Sequence, residues 1–120
     1  LRPRGAGAQL LLLSLLKQSG YRLDALEKGP VCPTGSDVAQ AIRAGRADCG
    51  IATRGVAAAA QLDFVPLTWE RFDLVMRQRD YFRPPLQRLF AFMRSPAFAQ
   101  RAAEMTGYDT EGTGSVRYVP

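Results

Sequence analysis

The sequence predicts an α/β protein in which helices flank a parallel sheet. Segments with helical and with strand-like apolar patterns follow one another in the order α, β, α, β, α, β. The 120 residues suffice for one ordinary domain with its own core. The composition, 47% hydrophobic and 22% charged, is typical of a globular chain.

The first helix is predicted over about residues 6–19, with Gly20 as its C-terminal stop. Its leucine-rich part is apolar on nearly every face, so we expect it to be buried on several sides. The apolar run is too short to span a membrane. Arginines ahead of a leucine-rich core also imitate a signal peptide, but no small-x-small cleavage site follows, so a buried helix is the preferred interpretation.

The middle of the chain is predicted to alternate between extended segments and short helices. EKGPVC is expected to be extended, and TGSDVAQAIRAG to form an amphipathic helix capped by Thr34 or Ser36. ADCGIA has the pattern of a buried parallel strand, and GVAAAAQL that of a short helix. DFVPLTWERFDLVM is predicted to form two strands separated by a bend at Pro66.

After Asp80 the pattern changes to two consecutive helices and a loop. The second helix has Ser95 as its cap, Pro96 at its first position and Gly107 as its stop. The tail from Gly107 onward shows neither the helical nor the strand spacing of apolar residues and is predicted to be a loop. The apolar face that should pack on the sheet consists of Leu86, Leu89, Phe90, Met93 and Phe98.

The net charge, the absence of histidine and the two cysteines limit the classes of function that the sequence allows. A net charge of +5 favours anionic partners, but the arginines form no basic block, so direct nucleic-acid contact is not expected. The absence of histidine excludes histidine triads and imidazole metal sites. Cys32 and Cys49 lie in apolar stretches and are expected to be free thiols, with a disulfide as the alternative.

Four segments of the chain match, in the same order, the motifs of one protein family. RPRGAGAQLLLLSLLKQSG is similar to the family segment R-x-x-G-S-G-T-R-x-L-L-x-x-L-L, and SDVAQAIRAGRADCGIA to a helix, G-x-A-D and strand unit. LDFVPLTWERFDLVM resembles G-L-D-F-V-P-L-x-x-E-R-Y-D-L-V, and MRSPAFAQRAAEMTGYDTEGTG resembles the closing S-P-x-F helix and G-Y-D-x-x-x-T-G. The chain thus resembles the periplasmic-binding-protein-like domains related to molybdate and tungstate binding proteins. Such domains also occur beside helix-turn-helix modules and in molybdopterin biosynthesis proteins.

This resemblance implies a type II binding-protein fold, with the ligand between two α/β lobes. We expect the chain to supply the C-terminal portion of such a domain. Residues 1–67 would form a lobe with an anion-binding helix start, and residues 68–120 a crossover strand, a helical pair and a closing tail. The expected partners are a small anionic ligand and either a missing N-terminal lobe or a fused helix-turn-helix module. A homodimer is left open.

The predicted site is the turn RPRGAGAQ. A glycine-flanked helix start offers unpaired N–H groups at the positive end of the helix dipole. The expected donors are the N–H groups of Gly7, Ala8 and Gln9, with Arg2 as the charged partner. Where the family reads G-S-G-T-R, this chain has Gly5, Ala6, Gly7, Ala8 and Gln9, which lose the hydroxyls and the guanidinium but keep the backbone donors.

Three further residues complete the predicted site, each with a structural alternative. Ser36 is either a ligand contact or a helix cap. Asp48 either points at the cleft or binds backbone N–H groups in its turn, and the turn is preferred. Tyr108 either reaches the ligand or anchors its loop on the core, and anchoring is preferred.

The sequence therefore predicts a non-catalytic domain that binds or senses a small oxyanion such as molybdate or tungstate. The alternative is an effector-binding and dimerisation domain of a transcriptional regulator with a non-oxyanion ligand. The carboxylates accompany no nucleophile motif or metal cluster, so neither an enzyme nor a metal or cofactor is expected. Without a secretion signal or a membrane span, the cytoplasm is favoured over the periplasm.

Overall fold

Helices form the secondary structure of residues 1–117, the part of the chain that the computed structural model describes. The chain divides into two compact units, Leu1–Val65 and the residues from Pro66 onward. Residues 118–120 of the predicted tail loop lie outside the described part. The helices are α1 (Gly7–Gln18), α2 (Gly35–Arg43), α3 (Arg54–Ala59), α4 (Gln78–Tyr81), α5 (Pro84–Met93) and α6 (Pro96–Met105), with a 3-10 turn at Leu23–Ala25.

The long helices begin and end where local sequence signals place them. After α1, Gly20 adopts a φ of +76°, and the N–H of Tyr21 donates to the carbonyl of Leu16 at 2.9 Å. This arrangement closes the last turn with a residue in the left-handed region, which glycine adopts without strain. The predicted helices α1, α2, α3, α5 and α6 are all confirmed, whereas α4 and the 3-10 turn were not predicted.

The predicted environment of α1 is wrong. Leu10 is 56% exposed and Leu13 is also exposed, so the helix is not enclosed by other elements. The buried residue of α1 is a polar one, Gln9. Within residues 1–117, no helix has the length and apolar character that crossing a bilayer requires.

The predicted parallel sheet is also wrong, because residues 1–117 contain no strand. The segments EKGPVC, ADCGIA and DFVPLTWERFDLVM are irregular. The nearest approach to a sheet is one pair of hydrogen bonds: the N-terminal amino group of Leu1 donates to Pro30 at 3.0 Å, and the N–H of Cys32 donates to Leu1 at 2.9 Å. Two bonds of this kind follow the parallel pattern but do not extend into a ladder.

These segments are irregular because of what lies beside them. Gly29 and Ala47 are close enough that a Cβ on Gly29 would lie 3.2 Å from the Cβ of Ala47. The described backbone nevertheless shows no hydrogen bond between the two segments. An apolar pattern stabilises a strand only when another strand lies alongside in register. Here the segment ADCGIA packs against α2 instead, with Gly50 next to Val38.

The core of the first unit lies under α2. Its buried residues are Cys32, Val38 and Ala41, and Ile42 packs partly against them. Gly50 crosses directly over Val38, so closely that a Cβ at this position would overlap with the Cγ1 of Val38. The apolar face of this predicted amphipathic helix, with Val38, Ala41 and Ile42, is therefore the face that forms the core.

The second unit is organised around α5 and α6. Ser95 lies between them, and its hydroxyl accepts the N–H of Phe98 at 3.3 Å, as an N-cap does. The ring of Phe90 is buried and lies 5.1 Å from that of Tyr81, while Phe92 meets Phe98 edge to face at 5.7 Å. With no sheet in residues 1–117, the predicted packing of this pair on a sheet is wrong.

Candidate functional site

The turn before α1 is shaped by its backbone. Gly5 has a φ of +87°, in the left-handed region that favours glycine. The N–H of Ala6 donates to the carbonyl of Pro3 at 3.1 Å, and Ala6 then enters α1 in an extended conformation as the N-cap. A Cβ on Gly5 or Gly7 would meet nothing within 4 Å. The start of the helix is therefore open to a ligand.

The hydrogen bonds of this turn decide which N–H groups are available. The carbonyl of Ala6 accepts from Gln9 at 2.9 Å and from Leu10 at 3.0 Å. The N–H groups of Gly7 and Ala8 precede the first residues that can bond within the helix. Ala6 provides no side-chain cap, and the first turn contains no acidic residue. Two donors at the positive end of α1 are thus left without a cap.

Gln9 ties the N-terminal segment to α1. Its side chain is 6% exposed, and its Oε1 accepts the backbone N–H of Arg2 at 2.9 Å. A buried amide needs such a partner because an unpaired polar group away from water is costly. The role of Gln9 is therefore positional, and its own N–H is already used by Ala6.

The guanidinium of Arg2 lies at the start of α2. Its Nη2 donates to the carbonyl of Pro33 at 2.8 Å, and a Cβ on Gly35 would lie 4.0 Å from its Nη1. The Nε of Arg2 is buried, and no hydrogen-bond partner for it exists among the described residues. The backbone of Arg2 thus contacts α1 while its charge faces the neighbouring helix.

A carboxylate already caps the start of α2. The hydroxyl and the N–H of Thr34 donate to Oδ2 of Asp37 at 2.6 and 2.9 Å, and the N–H of Asp37 donates back to the hydroxyl at 3.2 Å. This is a capping box. The hydrogen bonds from Thr34, and then the charge of Arg2, lower the pKa of Asp37. Ser36 is the second residue of this helix and is exposed.

The structure brings together only part of the predicted site. Arg2, Gln9 and the turn from Gly5 to Ala8 lie together at the start of α1. Asp48 is exposed in the loop after α2, and among residues 1–117 its carboxylate accepts no hydrogen bond, so the expected bonding to N–H groups of its own turn is not seen. Tyr108 follows α6 in the second unit and is exposed.

The sequence did not predict a groove that runs along the outer face of α1. It has a volume of about 770 Å³. Leu10, Leu13 and Leu16 supply its apolar floor, and the loop after α1 forms one side. Its lining includes the positively charged Arg4 and Lys17, and the ion pair of Arg22 with Asp24. The basic residues on either side of the leucine run are the sequence signal that marks this groove.

The start of α1 offers hydrogen-bond donors and positive charge, without a nucleophile or a base. From Arg2 to Gln9 the chain contains no carboxylate, hydroxyl or thiol side chain. Among residues 1–117, no three histidine, cysteine, aspartate or glutamate side chains cluster closely enough to hold a metal ion. The arrangement can hold an anion through hydrogen bonds and charge.

Comparisons with known proteins found relatives that are 28% identical to this chain. Two relatives are a Bacillus subtilis (strain 168) protein with the name uncharacterized protein YvgK, 28% identical over 116 residues, and a Clostridium pasteurianum protein from the 5′ region of a 2Fe-2S ferredoxin gene, 28% identical over 105 residues. The alignments cover 96% and 87% of this chain, and 37% and 91% of the respective relatives. The chain thus spans little more than a third of the Bacillus protein.

No solved structure matches the chain. The model of the PBP superfamily domain matches residues 1–94, which include the turn before α1, the capping box of α2 and helices α1 to α5. That match covers most of the sequence. This chain belongs to the PBP superfamily.

Proposed function

We propose that this chain is a non-catalytic domain that binds a small anion at the start of α1. Membership of the PBP superfamily supports ligand binding in general. The observation that carries the choice of site is the contrast between two helix starts. Asp37 already caps α2, whereas α1 has no acidic residue and no side-chain cap. An added anion gains more at the helix end that carries no negative charge.

The proposed donors are the N–H groups of Gly7 and Ala8, with Arg4 in the adjoining groove and Arg2 behind the turn as positive charges. The open space over Gly5 and Gly7 supports this choice because an anion must approach the backbone closely. A tetrahedral oxyanion such as molybdate or tungstate suits a site of this kind, since its oxygens accept several hydrogen bonds at once. We place this activity in the cytoplasm, as the sequence favours.

A single substitution tests the site by copying into α1 the negative charge found in α2. Ala6→Asp puts a carboxylate at the N-cap, where it can accept the N–H groups that we assign to the ligand. We expect thermal unfolding to shift upward because the helix gains a cap. We expect the affinity for molybdate, measured by calorimetry, to fall by about tenfold or more, because the new charge repels the anion.

Two controls separate the site from general effects. Ala6→Asn supplies a cap without a charge, so it should stabilise the helix and weaken molybdate binding less than Ala6→Asp does. Ser36→Ala alters the start of α2 and should leave the affinity unchanged. Unaltered molybdate, tungstate and sulfate binding in Ala6→Asp would place the site elsewhere. Binding of a carboxylate metabolite instead of these oxyanions would support the regulator alternative.

A further inference from the structure

The connection between α3 and α4 contains an exposed, apolar stretch of chain. Every residue from 65 to 75 is exposed. Trp69 is 75% exposed, Phe72 94% and Val75 96%. We call residues 65–75 the exposed segment. Large side chains with this much contact with water are unfavourable, and several of them in one short stretch mark an interaction site.

The backbone of the exposed segment is also unpaired. Between Leu62, which donates to Ala57, and Arg77, which accepts from Asp80, the described chain makes no backbone–backbone hydrogen bond. An irregular, apolar segment with free N–H and C=O groups can accept another strand along its length. The segment therefore has the properties needed for pairing by strand addition.

We propose that the exposed segments of two copies of this chain pair as antiparallel strands centred on Phe72. The choice of partner rests on self-complementary charge. In a two-fold antiparallel pair, one residue lies opposite its own copy, and the residues on either side pair across. With Phe72 at the centre, Arg71 of each copy lies opposite Asp73 of the other, so opposite charges meet twice.

Most other centres lose this match. Centring the pair on Val75 sets Asp73 opposite Arg77, but it also sets Trp69 opposite a residue of α4, where no strand can pair. Centring the pair on Glu70, Arg71 or Asp73 puts a charge opposite its own copy, which is destabilising. Centring it on Leu74 puts Arg71 opposite Arg77, again with like charges. The register centred on Phe72 also places the two Phe72 rings together and sets Trp69 opposite Val75, both of which are favourable cross-strand pairs. Charge and apolar contacts therefore select the same register.

The test is the oligomeric state of the 120-residue chain, measured by sedimentation velocity over a range of concentrations. We expect the wild-type chain to form a dimer. Arg71→Asp places like charges opposite each other at both crossings, and Asp73→Arg does the same with positive charges. Each should raise the dimer dissociation constant by about tenfold or more. The double variant Arg71→Asp/Asp73→Arg restores both ion pairs and should return to the wild-type constant.

Both positions are exposed, so thermal unfolding should show that each variant remains folded. Arg88→Asp, which reverses an exposed charge on α5 outside the segment, is the matched control and should dimerise as the wild type does. A wild-type chain that remains monomeric would overturn the proposal. It would also be overturned by single variants that dimerise normally, or by a double variant that fails to recover.

Discussion

Gly50→Ala should destabilise the first unit because the added methyl group has no space. Its Cβ would overlap with the Cγ1 of Val38, and the Cδ1 of Ile42 lies 3.8 Å away on the same side. Val38 is buried in the core cluster and lies in a helix, where a β-branched side chain is held to one rotamer. The methyl group cannot be accommodated without a shift of the backbone.

We expect Gly50→Ala to lower the free energy of unfolding by about 1–3 kcal/mol, the usual cost of overpacking a core. For a domain of this size that corresponds to a fall in Tm of roughly 5–20 °C. Urea and thermal unfolding followed by circular dichroism measure both quantities. The control is Gly7→Ala, where nothing lies within 4 Å of the new Cβ, and we expect a change below about 0.5 kcal/mol.

A second variant, Val38→Ala, tests whether the overlap with Val38 causes the loss of stability in Gly50→Ala. Val38→Ala removes the γ-methyl groups and costs stability through the cavity that it leaves. In that background, adding Gly50→Ala should cost little or should recover stability, because the two substitutions act on the same space. The reasoning would be refuted if Gly50→Ala were as stable as the wild type, or if its cost were the same with and without Val38→Ala.

Three further outcomes follow from the structure. Phe90→Ala should cost about 3–5 kcal/mol, whereas Leu89→Ala, at a residue that is 40% exposed, should cost less than about 2, and equal losses in urea unfolding would contradict the described packing. The pKa of Asp37 is lower in the folded chain than its unfolded value of about 3.9, so the ionised carboxylate stabilises the fold at any pH above that unfolded value. This contribution is lost as the pH falls through the pKa that Asp37 has in the folded chain. The stability difference between the wild type and Asp37→Asn should therefore be constant near neutral pH and disappear in acid, and a difference that persists there would rule out the ionised carboxylate as its source. A thiol reagent should modify the exposed Cys49 quickly in the native chain and the buried Cys32 only on unfolding, so rapid reaction of both thiols would show that the core is open.

The helices could be predicted from the sequence because their signals are local. Thr34 and Ser95 act as caps, and Gly20 ends α1, each through bonds to residues within a few positions along the chain. Such bonds form wherever the helix forms. The prediction that α2 is amphipathic was confirmed for the same reason, since the helical period alone fixes which residues share a face.

The prediction of a sheet was wrong because a strand depends on a partner that is distant in sequence, and local patterns do not show whether that partner is present. The exposed segment shows this dependence: its apolar pattern fits a strand, yet its backbone forms no backbone–backbone hydrogen bond within the described chain. The position of Arg2 is a similar case. Its guanidinium contacts Pro33, 31 residues away, and nothing near Arg2 in the sequence indicates that contact. Gln9 is a third, since its burial depends on the N-terminal segment lying beside α1.

Arg2 connects two helix starts, with its backbone at α1 and its charge at α2, and this position would link anion binding to protonation. Its charge helps to keep Asp37 ionised, while its backbone is fixed at the turn where we place the anion. An anion at α1 that drew the guanidinium away from Pro33 would also take positive charge from Asp37 and raise the pKa of that carboxyl. By thermodynamic reciprocity, protonation of Asp37 would then strengthen anion binding. The two helix starts would act as a coupled pair in which acid favours the bound state.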